Sequence, residues 1–154
     1  MPSTEEIFTL AVQIHQTGDA RRAEQLYREV LQQNANHLGA LTNLGVTLMQ
    51  QDRAEEAIAS YQAALRIDGK YADASFNLGN AYLRLGRYSE ATGCYQTVLR
   101  VAPNHTSSMH NLGLAYASLN RWKQAIQMQQ QAIKVEPTFA EAYKVAALNG
   151  LNKL

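Results

Sequence analysis

Three near-copies of one word, TNLGVTL, FNLGNAY and HNLGLAY, place Gly45, Gly79 and Gly113 at intervals of 34 residues. A fixed period of this length means that one small structural unit is repeated, and a unit so short cannot enclose a core of its own, so the copies must stack. Running the frame outward gives copies at 4–37, 38–71, 72–105 and 106–139 without insertion or deletion, followed by a segment at 140–154. The first copy is the most diverged. Places below are counted from the first residue of each copy.

Each copy has two stretches of apolar residues at helical spacing, separated by a short polar turn: QTGDA, QQDRA, RLGRY or SLNRW. The pattern predicts one helical hairpin per copy and an all-α chain. Leu10, Leu44, Leu78 and Leu112 hold the seventh place, Ala11 and the three glycines the eighth, and Ala23, Ala57, Ala91 and Ala125 the twentieth. Small residues at the eighth and twentieth places let the two helices approach closely, at about 1 kcal/mol of helix propensity for each Gly relative to Ala. Tyr27, Tyr61 and Tyr95 at the twenty-fourth place, with Val30, Ala64, Val98 and Ala132 at the twenty-seventh, are expected to wedge neighbouring hairpins together. Pro103 and Pro137 stop a helix and start the next, where copies one and two carry Ala35 and Gly69. Ser3 followed by Glu6 has the spacing of a capping box for the first helix.

Charge excludes several functions. Fourteen Lys+Arg against 13 Asp+Glu leave +1, so no global field draws nucleic acid or an anionic membrane. The charge is uneven: residues 1–77 hold six bases and ten acids (−4), and residues 78–154 hold eight bases and three acids (+5). No uninterrupted apolar stretch is long enough to span a bilayer. Cys94 is the only cysteine, and MPSTEEIF carries acids where a secretory signal carries bases, so a reduced, cytoplasmic setting is expected.

Nothing in the sequence arranges chemistry. His15, His37, His105 and His110 show no helical pairing, and a zinc site needs three or four convergent ligands. His37 and His105 both fall on boundary turns and are expected to be exposed. Cys94 sits on a second helix with no base suggested nearby, so burial is the default. Glycines spaced along helices do not form a phosphate-cradling loop. No catalytic residue, metal or cofactor is expected.

These 34-residue hairpins, with Leu-Gly at places seven and eight, Ala at twenty, an aromatic at twenty-four and Pro at thirty-two, resemble the tetratricopeptide repeat. Departures are small: Gln129 replaces the fourth aromatic, Ile7, Leu41, Ser75 and Met109 occupy a place where Trp is frequent, and two boundary prolines are missing. The resemblance covers nearly the whole chain as a single domain. It implies a right-handed superhelical solenoid whose first helices line a concave groove, closed by a C-terminal helix at 140–154. Places two, five, six, nine, twelve and thirteen would face inward.

On that implication place six presents Thr9, Asn43, Asn77 and Asn111. An Asn amide both donates and accepts, so a row of them can pair with the backbone of an extended ligand. The row is similar to the asparagine ladder of O-linked N-acetylglucosamine transferases, which holds extended substrate protein; the competing reading is that these amides serve helix packing. Other inward positions hold Phe76, His110, Asn80, Leu114, Met49 and Leu83, which make the groove largely apolar. Arg84 is its only base, too few for the carboxylate clamp of chaperone-binding members. The resemblance therefore implies a noncatalytic scaffold binding an extended or helical peptide segment of a partner protein. Alternatives are a self-assembling module using its ends or groove, including self-association through the C-terminal helix, and the substrate-recruiting domain of a larger enzyme such as a glycosyltransferase.

Overall fold

The computed structural model describes residues 1–138 and contains eight α-helices there, with no strand among the described residues. They are α1 (Thr4–Gln16), α2 (Ala20–Gln33), α3 (Leu38–Gln50), α4 (Ala54–Ile67), α5 (Ala72–Arg84), α6 (Tyr88–Val101), α7 (Thr106–Ser118) and α8 (Trp122–Val135). Odd-numbered helices begin at residues 4, 38, 72 and 106, each paired with the helix that follows. The expected helix at 140–154 lies outside the described residues.

Local chemistry explains where helices start and stop. Ser3 Oγ accepts from the Glu6 amide and Glu6 Oε2 accepts from the Ser3 amide at 2.7 Å, so the capping box forms. The chain reverses within each hairpin at place fifteen, where Gly18, Asp52, Gly86 and Asn120 take φ values of 87°, 58°, 71° and 59°. That left-handed region admits Gly without cost and Asn or Asp more readily than other side chains, which accounts for the four residue types found there. The helices α6 and α8 end two residues before Pro103 and Pro137.

Close helix approach builds the core. Ala23, Ala57 and Ala91 are fully buried, and a Cβ added to Gly45 would overlap the Tyr61 ring. At Gly79 the added carbon would meet Tyr95 Cε1 at 2.8 Å. The tyrosines therefore seal their own hairpin with the ring, rather than only wedging neighbours as their place in the frame suggested. Copies meet through a continuous apolar core, including Leu41, Ala64 and Ala74 packed with Leu31 and Tyr71, and polar side chains add hydrogen bonds across the same boundaries. Gln62 Nε2 donates to Tyr82 Oη at 3.1 Å, and Gln96 Nε2 repeats the bond to Tyr116 Oη at 2.9 Å. Glu24 accepts from Gln51 Nε2 and Arg53 Nη1, both at 2.8 Å, joining the first copy to the second. Burial pushes the Glu24 carboxyl up, but hydrogen bonds from Gln51, Arg28 and Arg53 outweigh it and hold the group below the usual carboxylate range.

His37 and His105 depart from the expectation of exposed surface residues. Each caps a helix: His37 Nδ1 accepts from the Ala40 amide at 3.0 Å, and His105 Nδ1 from the Ser108 amide at 3.2 Å. Their rings pack on Phe8 and Phe76, with centroids 4.5 and 5.0 Å apart. An unprotonated imidazole nitrogen can take the place of a Ser or Asp cap, and the adjacent Phe removes the ring from water.

Candidate functional site

Contacts between successive copies set the curvature of the stack. Successive first helices touch, α1 with α3, α3 with α5 and α5 with α7, whereas among the described residues no second helix packs on the next second helix. The stack therefore bends toward the odd-numbered helices. Their outer turns line the inner side.

The three Asn residues at place six are half-buried, and each bonds differently. The Asn43 side chain hydrogen-bonds the Tyr27 hydroxyl, whose pKa is nonetheless raised because burial dominates. Asn77 Nδ2 donates to the Asp73 carbonyl at 2.9 Å, one turn back on its own helix. Asn111 Nδ2 donates to Asn80 Oδ1 at 2.9 Å, and the same oxygen accepts from Tyr95 Oη at 2.6 Å. Each of the three amides thus uses part of its hydrogen-bonding capacity inside the protein. Burial drives the pKa of Tyr95 upward against the opposing bond from Asn111.

The remaining inward residues divide by environment. Phe76 belongs to an aromatic cluster with Tyr95 and His105, at centroid distances of 6.1 and 5.0 Å. His110 is half-buried; burial lowers its pKa, partly countered by a hydrogen bond with Gln129, whose Nε2 also donates to the His110 carbonyl at 3.3 Å. Met49 and Leu83 are partly buried against the core, while Leu114 stays 40% exposed. Arg84 faces Asp52 at 3.5 Å in a pair that water screens on both sides.

Between copies three and four lies a depression of about 550 Å³ lined by Leu83, Tyr88, Leu114, Ala117, Ser118 and Trp122. It joins Leu83 and Leu114 to two aromatics from the starts of α6 and α8. Sequence reasoning missed Tyr88 and Trp122, because attention to the inward places of the first helices leaves out the second. A signal existed: place seventeen is aromatic in copies three and four and alanine, Ala20 and Ala54, in copies one and two.

No group of three or more His, Cys, Asp or Glu side chains converges as a metal site among the described residues, and no helix there is long and apolar enough to cross a membrane. Cys94 lies on α6 and faces Gly79 of α5, and its thiol is pushed up to about 11, first by burial and then by Glu90. Since a raised thiol pKa delays the thiolate until higher pH, alkylation by iodoacetamide at pH 8 is expected to run about two orders of magnitude slower than for free cysteine, whose pKa is near 8.5. The check is the rate as a function of pH: it should keep rising past pH 9, and a plateau below pH 9 would contradict the assignment.

Profiles described as tetratricopeptide repeat match residues 15–60 and 71–135, and one described as TPR repeat matches residues 47–86. A search of curated protein sequences gives no match. Among solved structures, a crystal structure of MamA is 26% identical with a TM-score of 0.82, over 93% of this chain and 84% of that one. MamA from Desulfovibrio magneticus is 20% identical with a TM-score of 0.82, over 89% and 78%. A tetratricopeptide repeat protein from Parabacteroides merdae is 26% identical with a TM-score of 0.80, over 87% of this chain and 54% of that one. Repeat period, hairpin geometry, the three profile matches and these neighbours agree: the chain belongs to the tetratricopeptide repeat family, as an all-α solenoid.

Proposed function

We propose that this chain is a noncatalytic cytoplasmic scaffold that binds a peptide segment of another protein along the inner side of its solenoid. Membership of a family of interaction scaffolds supports the general reading. The groove itself rests on one observation: large apolar side chains, Leu114 and Trp122, stay open on or beside the inner side while Leu44, Leu78 and Leu112 are buried. Open apolar surface bordered by amides and bases is what an extended or helical peptide needs for affinity and direction.

The test is selection of peptides from a displayed random library on the full chain, followed by hydrogen exchange of each complex. Protection should concentrate in α3, α5 and α7. Protection confined to α4, α6 and α8, or failure to select any peptide, would refute the groove. Replacing Asn77 by Ala should weaken extended peptides by about two- to tenfold, the equivalent of one net hydrogen bond of roughly 0.5–1.5 kcal/mol. Titration calorimetry reads that difference, and unchanged affinity removes Asn77 from the contact.

A further inference from the structure

The depression between copies three and four separates these copies from the first two. Only here are both place-seventeen residues, Tyr88 and Trp122, aromatic, and Trp122 is 60% exposed. A largely exposed indole beside open Leu114 forms an apolar recess with one wet wall, and its volume of about 550 Å³ lies within the range of ligand clefts, roughly 300–1,000 Å³.

Bases outnumber acids in the chain around the recess, with Asp52 facing Arg84 at 3.5 Å across an exposed, water-screened pair. Arg84 follows Leu83 in the chain, and Arg121 and Lys123 flank Trp122. Arg87, next to Tyr88, is already committed: its Nε holds Glu90 Oε1 at 2.7 Å and its guanidinium lies 4.7 Å from the Tyr82 ring centre. Across residues 78–138 six bases face two acids, Glu90 and Glu136. Arginines and lysines next in the chain to the residues lining an apolar recess favour carboxylates flanking the group it seats, since an Arg fork pairs with a carboxylate through two hydrogen bonds.

We propose that this recess is an anchor for an acidic peptide segment, seating one Leu- or Phe-sized side chain against Leu83, Tyr88, Leu114 and Trp122 while Arg84, Arg121 and Lys123 hold the flanking carboxylates. The inference rests on the groove reading and sharpens it: copies three and four set the position and sequence class of the ligand, and copies one and two add length. Acidic flanks also speed encounter with the basic half of the molecule, an effect that salt weakens.

Trp122 is the only tryptophan, so its emission reports occupancy directly. The probes are capped peptides of alternating Asp and Glu with a central Leu, the same peptide with a central Ala, and the Leu peptide with Lys in place of every acid. The acidic Leu peptide should shift Trp122 emission to the blue and shield it from acrylamide, and the other two should bind at least tenfold more weakly. Leu114→Glu should abolish the response, and the paired surface change Arg84→Glu with Arg121→Glu should reverse the preference toward the Lys peptide; far-UV circular dichroism confirms that both fold. Equal binding of the three peptides, or an unchanged response in either variant, overturns the anchor. So does a Trp122 that acrylamide cannot reach in the free chain, which means that the chain fills its own recess, or an emission that varies with protein concentration, which assigns the recess to a second copy. The two readings fail separately. Library peptides that protect α3, α5 and α7 but ignore Leu114→Glu leave the groove and remove the anchor, whereas Leu114-dependent binding of the acidic Leu peptide without protection of α3 and α5 leaves the anchor and removes the extended groove.

Discussion

Replacing Tyr61 by Ala is expected to cost about 3–5 kcal/mol of unfolding free energy, the range for removing a large buried aromatic. Tyr61 is 1% exposed and its ring lies against Gly45, so truncation opens a void where α3 and α4 meet that backbone on both sides cannot fill. Against a total of about 5–15 kcal/mol for a domain of this size, such a loss unlinks one part of the array from the rest. In a stack of hairpins each copy is stabilised by its neighbours, so a failure in copy two should unfold the N-terminal half before copy four. Urea denaturation followed at once by far-UV circular dichroism and by Trp122 emission separates the two. The dichroism midpoint should fall below the emission midpoint in Tyr61→Ala and coincide with it in the parent. Coincident midpoints with a loss under about 1 kcal/mol would mean that the ring does not hold the hairpin.

The three glycines at place eight are expected to respond unequally to alanine, although they occupy identical positions in the repeat. Gly45→Ala gains about 1 kcal/mol of helix propensity, yet the new methyl overlaps the Tyr61 ring, which is buried and cannot swing away. A net loss of about 1–3 kcal/mol follows from overpacking. Gly79→Ala should behave similarly, since Tyr95 Cε1 and Cζ would stand at 2.8 and 2.9 Å and Cys94 Cβ at 3.2 Å. Gly113 faces the amide end of Gln129, with Nε2 at 2.5 Å from the added carbon, and a flexible half-buried side chain can turn aside. Gly113→Ala is therefore expected to cost less than the other two, the helix propensity gained offsetting the Gln129–His110 hydrogen bond that must be given up. Thermal melts of the three variants decide the order. A Gly113→Ala as damaging as Gly45→Ala would place the constraint in the helix backbone and not in the facing ring.

How the same residue type acquires different tasks is visible at place six. Asn43, Asn77 and Asn111 are indistinguishable in the repeat, but the ninth place beside them changes from Val46 to Asn80 to Leu114. Only Asn80 supplies an oxygen that Tyr95 and Asn111 share, so the third amide joins two copies while the second turns back to its own helix. The recurrence of the amide at one place of the repeat was legible in the sequence; its internal bonding was not, because it depends on which partners the packed copies present.

Period, hairpins, turn positions and helix ends followed from residues close in the chain: Ser3 with Glu6, the Gly, Asp and Asn residues at place fifteen, and Pro103 and Pro137. Such features are settled within a turn or two of helix, where spacing in sequence is spacing in space. The caps from His37 and His105, the contact of Asn111 with Asn80 across 31 residues, and the recess shared by Leu83, Tyr88, Leu114 and Trp122 belong to the tertiary structure. Which side chains meet there depends on the angle at which one hairpin stacks on the next, and a one-dimensional repeat carries no measure of that angle until the small and large residues at the interface have packed.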